Sequence, residues 1–279
     1  MMKILYVTDL YYVAKGRKYY EEDLFITSRL QQHFNVIITN PRQAANLLDG
    51  IDALVFRNAG CVLEYEEEYN ELLKAVKERN LSTFNSFDGK GDQKGKQYLL
   101  DLQALGFPVI PTAEKYEDSY KLGEPEQYIV KLKNGADSVG MEILSPQEFH
   151  ESKPEGKLIQ PFIDFRYEVS FYYLNDVFQY AMYAPNKERR WELTQYEPTR
   201  ADLEFAQQFL QWNNMQRGIT RVDACRLRDE SLLLVELEDL NPFLSLDLLP
   251  EEEREQFIDN FIEALKKMAP AGEPVVEMV

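Results

Sequence analysis

Cysteine and histidine are nearly missing from this chain: two of each in 279 residues. Cys61 and Cys225 form no spacing motif, so they offer no disulfide framework and suit a reducing compartment. So few thiols and imidazoles are also too few for a typical zinc site. Basic residues are scarce as well, 31 against 48 acids, for a formal net charge of −17. That balance argues against general nucleic-acid binding and against docking on anionic membranes, though a local basic pocket could still hold an anion. No apolar run reaches transmembrane length and no secretory signal is evident, so a soluble, cytoplasmic protein is expected. The first strand is not followed by G-x-G-x-x-G, which removes the main support for dinucleotide binding. Internal repeats and low-complexity tracts are lacking too.

What is present is a chain with 44% hydrophobic residues, enough for a real core in one large or two to three small domains. Met2 to Thr8 is a buried-strand pattern. A helical stretch from about Tyr20 to His33 follows, then a strand from Asn35 to Thr39, a short helix near Pro41 to Leu48 and a strand from Ala53 to Phe56. Glu66 to Arg79 reads as a helix and Ser82 to Asn85 as a short strand. This alternation predicts a parallel α/β layer. The acids from Glu64 to Glu68 suit a helix start, where carboxylates complement the helix dipole.

From Asp88 the composition shifts. Asp92 or a neighbour can cap a helix bearing Leu99, Leu100 and Leu102 and ending at Gly106, after which Pro108 and Pro111 force an extended exit. Lys90, Lys94 and Lys96 stand at its entrance. In Tyr128 to Leu144 two strand-like runs flank a loop, Asn134 to Gly140, whose Gly135, Ser138 and Gly140 are small enough for backbone amides to approach phosphate oxygens. Lys131 lies inside the first of these runs, where it must either snorkel to solvent or meet an anion. Strands are expected at Lys157 to Phe162 and at Arg166 to Leu174, the latter with Arg166, Glu168 and Ser170 on one face. Pro185 to Trp191 is a basic loop. It joins Arg57-Asn58 as a candidate for holding a carboxylate. Asp202 to Met215 and Glu251 to Met268 are amphipathic helices, and a frayed tail is expected from Ala269.

Between Arg217 and Pro242 the runs Ile219 to Leu227 and Leu232 to Leu240 flank a polar Arg228-Asp229-Glu230-Ser231, the pattern of a β-hairpin. Strict alternation puts Leu232, Leu234, Glu236 and Glu238 on one face, with Arg221 and Asp223 sharing a face of the first strand. Three acids on an apolar hairpin repel one another unless a cation or a basic group sits among them. Oxygen ligands alone suit a hard cation such as magnesium. The plainer alternative is a solvated sheet face.

Taken in order, these elements resemble the ATP-grasp superfamily over nearly the whole chain, with the motifs between Asn85 and Pro242. Asn85, Asp92-Gln93-Lys94 and Gly106 to Thr112 are similar to the family's N…D-K signature and its G-x-P-x-P-x-T. Val130-Lys131-Leu132 with Gly135 to Gly140 looks like its second nucleotide lysine and phosphate loop. Gln160-Pro161-Phe162-Ile163 and Glu168-Val169-Ser170 match the adenine hinge. Arg221-Val222-Asp223, Glu236-Leu237-Glu238 and Pro242 resemble the metal site.

The resemblance implies an α/β (α+β) architecture divided at 1–84 (parallel α/β domain), 85–111 (linker helix), 112–160 (small lid), 161–268 (antiparallel-sheet nucleotide and metal domain) and 269–279 (tail). It implies an ADP-forming carboxylate–amine ligase like the glutathione synthetase-like and small-molecule amino-acid ligases, joining an acyl phosphate to an amine or a related nucleophile and using ATP with one or two Mg2+ ions, or Mn2+. Lys94 or Lys96, Lys131, Gly135, Ser138, Gly140, Gln160, Phe162, Ile163 and Glu168 would bind ATP. Asp223, Glu236 and Glu238 would carry the metal, with Asn241 the alternative to Glu238, and Arg221 would stabilise developing negative charge. Its partners would be ATP and small-molecule carboxylate and amine substrates, a homodimer is allowed, and neither nucleic acid nor a membrane is expected. The alternative is an ATP-binding protein without turnover, serving as a regulator or scaffold.

Overall fold

A computed structural model describes residues 1–14, 17–135, 140–189 and 192–268. They divide into two compact units, the first made of Met1–Asp88, Met215–Ile219 and the chain from Leu240 onward, the second of Gly89–Asn214 and Thr220–Asp239.

The first unit opens with β1 (Lys3–Val7), a hairpin of β2 (Val13–Ala14) and β3 (Arg17–Lys18), α1 (Tyr19–Leu30), β4 (Asn35–Thr39), β5 (Ala53–Phe56), α2 (Glu66–Glu78) and β6 (Ser82–Phe84). Its four-stranded sheet runs β4-β1-β5-β6 with all three pairings parallel. Ile4 to Val7 and Ala53 to Phe56 have no exposed surface. Central parallel strands are covered on both faces, which is why they read as unbroken apolar runs. The edge strand β4 differs, with Ile37 and Ile38 about 40% exposed. Helix α2 buries Tyr69, Leu72 and Val76 at helical spacing and carries Glu66, Glu67 and Glu68 in its first turn, as its acidic start predicts. The helix expected near Pro41 to Leu48 is only a 3₁₀ turn, Ala44–Leu47. So short a segment gains too few hydrogen bonds to offset nucleation.

Arg57 and Asn58 do not meet the expectation that they await a substrate carboxylate. Arg57 is fully buried and donates to Glu22 Oε1 at 3.2 Å, and Asn58 Nδ2 donates to the same oxygen at 3.4 Å. The carboxylate that sequence reasoning sought belongs to the chain itself. Glu22 also accepts the backbone N–H groups of Leu244 at 3.0 Å and Leu246 at 3.1 Å. Beside it, Asp23 accepts from the hydroxyls of Tyr6 and Thr8. Burial lifts the Glu22 carboxyl from 4.5 to about 7; Arg57 and the two backbone N–H groups oppose the rise and Asp23 reinforces it.

A raised carboxyl keeps its proton in the folded state after the unfolded chain has lost it. Stability should therefore fall as pH climbs from about 4.5 to about 7. Denaturant titrations at pH 5 and pH 7.5 will show a slope that Glu22→Gln flattens; an equal slope in both proteins would place its cause elsewhere.

The second unit contains α3 (Tyr98–Ala104), β7 (Tyr128–Leu132), β8 (Glu142–Leu144), α4 (Pro146–Ser152), β9 (Lys157–Pro161), β10 (Tyr167–Leu174), β11 (Val177–Ala184), β12 (Thr194–Gln195), α5 (Arg200–Asn213), β13 (Ile219–Arg226, whose first residue belongs to the other unit) and β14 (Leu232–Glu238). Strand β11, absent from the sequence reading, is long and pairs along the whole of β10. A three-stranded antiparallel sheet runs β8-β7-β9, and a five-stranded sheet runs β12-β11-β10-β13-β14. One core joins Leu99 and Leu102 of α3 and Phe209 of α5 to Phe171, Val222 and Leu234 of the larger sheet. The last helix, α6 (Glu251–Lys266), returns to the first unit and buries Phe257, Ile258, Phe261, Ile262 and Leu265, the expected stripe. Among the described residues no helix is long and apolar enough to cross a membrane.

Candidate active site

The hairpin β13–β14 has the predicted strands but not the predicted faces. Arg221 pairs with Glu238 and Asp223 with Glu236; the register then slips, so that Ala224 pairs with Leu234 and Val235 is the extra residue of a bulge. A bulge inverts the alternation beyond it. Leu232, Leu234 and Leu237 therefore all enter the core, while Glu236 and Glu238 stand on the opposite face. Strict alternation had wrongly grouped Leu232 and Leu234 with the acids. The bulge separates the apolar half of the strand from the ionic half.

On the ionic face Arg221, Asp223, Glu236 and Glu238 meet. Oxygens of the three carboxylates lie within 4.8 Å of one another. Arg221 forks onto Asp223, Nε at 2.9 Å from Oδ1 and Nη2 at 2.8 Å from Oδ2, and reaches Glu238 Oε1 at 2.6 Å. Lys96 pairs with Glu236 Oε1. Burial disfavours ionisation of Glu236, yet Lys96, Lys131 and Arg221 outweigh it and hold that carboxyl down at about 2. For Glu238 burial wins: Arg221 opposes the rise, Asp223 and Glu236 reinforce it, and the group is lifted to about 7. The cluster thus holds one acid content with its cations and one that is short of positive charge. An all-oxygen set of this kind fits a hard dication, which would supply the missing charge at Glu238.

The two lysines left open by the sequence differ in environment. Lys94 is exposed, whereas Lys96 is 9% exposed and its backbone N–H donates to Lys133 O at 2.7 Å. Between them Gly95 sits at φ +68°, where a Cβ would lie 2.3 Å from Asn134 Oδ1, so only glycine lets this turn approach the start of the 134–140 loop. Lys131 is half-buried on β7 and contributes to the field at Glu236, as a lysine meeting an anion should.

The cap of the Asp92 turn corrects another expectation. No residue at its start caps it; the carboxylate of Asp239, next after β14, accepts the N–H groups of Gly91 at 2.8 Å and Gln93 at 3.0 Å. Asp92 in turn accepts the Asp239 N–H at 2.7 Å. Burial, then the neighbouring Asp239, pushes the Asp92 carboxyl well above its usual range. A Cβ on Gly89 would come within 2.1 Å of Asp239 Oδ2, so the 89–93 strap wraps Asp239 too closely for any side chain there. Sequence reasoning missed Asp239. Its signal was an acid flanked by leucine directly after Glu238, which needs a partner if buried.

The remaining expected residues are spread around these. Gly135 and Gly140 bracket the glycine loop, with Gly140 at φ +68° against Leu132; Ser138 lies outside the described residues. Gln160 is buried and donates Nε2 to Thr112 Oγ1 at 2.8 Å. Phe162 is exposed, its N–H donating to Gln127 O at 2.9 Å, and Ile163 is half-buried. Glu168 is half-buried on β10, on the face away from the core residues Val169 and Phe171. Asn241 belongs to the first unit, where its side-chain amide lies 3.5 Å from Gly60 O. In the basic loop, Lys187 pairs with Asp164 at 2.8 Å and Arg189 with Glu192 at 3.2 Å, both at the surface. Those cations are engaged with the chain's own acids; Arg190 and Trp191 lie outside the described residues.

No protein-family model matches the sequence, and none of the curated proteins matches it. Solved structures do. D-cycloserine synthetase superposes with a TM-score of 0.74 at 16% identity, covering 94% of this chain and 99% of that one. An ATP-grasp ligase complexed with a minimal precursor gives 0.63 at 14% identity, over 94% and 99%. D-alanine–D-alanine ligase from Bacillus anthracis gives 0.66 at 11%, over 96% and 99%. Agreement over nearly full length at such low identity is agreement of fold, and the fold of this chain is the ATP-grasp fold.

Proposed function

We propose that the protein is an ADP-forming ligase that activates a substrate carboxylate as an acyl phosphate and joins it to an amine, with magnesium. The observation that carries this reading is the ionic face of β13–β14: Asp223, Glu236 and Glu238 gathered around Arg221, with Lys96 closing the group, on an ATP-grasp fold. Asp223, Glu236 and Glu238 would hold the metal, whose chemistry is charge neutralisation of transferring phosphoryl oxygens. Lys131, Lys96 and the amides bordering the 135–140 loop would hold phosphates, with Lys94 the exposed alternative to Lys96. Gln160, Phe162, Ile163 and Glu168 would border the adenine. Arg221 would meet the oxyanion that forms when the amine nitrogen attacks the acyl carbon. That attack releases phosphate, and the amine sheds its proton.

The ligase neighbours and the full set of cations and acids support an enzyme. The test is ADP release from MgATP with paired carboxylates and amines. Turnover that needs both partners is expected. Tight ATP binding without turnover across a broad panel would leave a regulatory nucleotide-binding protein instead.

A further inference from the structure

A feature of the first unit plays no part in the ligase chemistry assigned above. Beyond the carboxyl ends of β1, β4 and β5 lies a cavity of about 270 Å³. The connection leaving β1 runs to β4 on one side, and the one leaving β5 runs to β6 on the other. Parallel sheets open a crevice where connections diverge in this way, outside the strand ends.

The cavity's chemistry is one-sided. Asp9, following β1, and Glu64, preceding α2, bring two carboxylates to its wall, against one guanidinium, Arg42. That guanidinium is already engaged, with Nη2 donating to Glu64 O at 2.6 Å and Nη1 to Glu68 Oε1 at 3.3 Å. Two further lining side chains end in buried polar atoms that have no hydrogen-bond partner: Asn40 Oδ1, an acceptor, and the hydroxyl of Tyr65, a residue only 4% exposed. Burial keeps this phenol protonated; the neighbouring Tyr69, Cys61, Asp9 and Glu64 add to the effect. The rim is apolar, with Leu10 53% and Tyr11 76% exposed. Negative charge and unmet acceptors inside an apolar mouth call for a ligand that is cationic, rich in N–H donors and apolar along its body. A volume just under the range for drug-sized ligands limits it to a small molecule.

We propose that this cavity binds a small primary amine, its ammonium held by Asp9 and Glu64 and its apolar body against Leu10 and Tyr11. Binding at this cavity stands independently of the ligase reading.

Phenethylamine is a suitable probe and phenethyl alcohol its neutral control, titrated by saturation-transfer difference NMR against the full chain without nucleotide. The amine should bind and the alcohol should not. Losing a charge-assisted contact in Asp9→Asn, or in Glu64→Gln should Asp9→Asn fail to fold, should weaken the amine roughly 10-fold or more. Tyr65→Phe should weaken it too while raising the melting temperature, because it removes a buried unpartnered hydroxyl. Equal binding of the alcohol, undiminished binding to the acid variants, or a destabilised Tyr65→Phe that binds as well as the parent would each overturn the proposal. ADP release measured in parallel separates the two readings. Amine binding without turnover defeats only the ligase, and turnover without binding at this cavity defeats only the cavity.

Discussion

Glu238→Gln should abolish magnesium-dependent ADP formation while leaving the protein's thermal stability unchanged or higher. Glu238 is the acid for which burial and two neighbouring carboxylates outweigh Arg221, so at neutral pH its charge costs more than it returns. Arg221 keeps its fork on Asp223 when that charge is removed. A dication loses a ligand by the same change, so stability and turnover move apart. Glu236→Gln should behave differently. The sequence alone suggested that neutralising any of the three acids relieves repulsion, but Glu236 is held by Lys96. Its replacement strips a buried ammonium of its partner and should lower stability. With the Glu236 side chain 32% exposed, solvent screens the pair and the loss is on the order of 1 to 2 kcal/mol. Turnover should vanish here as well. The two variants need only melting curves and a magnesium titration of ADP release. Wild-type magnesium dependence in Glu238→Gln would remove the metal-site reading.

Lys131→Met should weaken ATP binding by about 1.5 to 3 kcal/mol, roughly 10- to 150-fold in Kd, the worth of a charge-assisted contact. Methionine retains an apolar stem on β7, so the strand and its pairing with β9 should survive. Lys131 already acts on Glu236, and its loss should also ease the carboxyl of Glu236 back up from about 2. Nucleotide titration of the folded variant decides the matter. An unchanged Kd would reduce Lys131 to a counter-charge for the acids.

How far the sequence could be read follows from which forces are local. Strands β4 and β5 were located to the residue, because a strand covered on both faces must be a continuous apolar run and an edge strand still carries its β-branched signature. The meeting of Arg221, Asp223, Glu236 and Glu238 was legible because residues two apart on a strand share a face and a hairpin sets the two pairs side by side. The faces of β14 were not: the bulge at Val235 is imposed by pairing with β13, and nothing in Leu-Leu-Leu-Val-Glu announces it. Arg57 was misread because its partner Glu22 stands 35 residues earlier on a helix. The stretch containing β11, Val-Phe-Gln-Tyr-Ala-Met-Tyr-Ala, mixes small and polar residues with aromatics and has no simple period, so it was passed over.

Asp239 caps a turn that lies 146 residues before it. Local helices nucleate within their own sequence, but this one cannot satisfy its first N–H groups until the final strand of the larger sheet has docked. Contacts of such separation form late in folding because loop-closure entropy must be met first. The turn carrying Lys96 and the strand carrying Glu236 and Glu238 consequently depend on one another for their final geometry. Lys96 and the acid it pairs with are thus held in place through the same Asp239 contacts, and a change at that one residue reaches both.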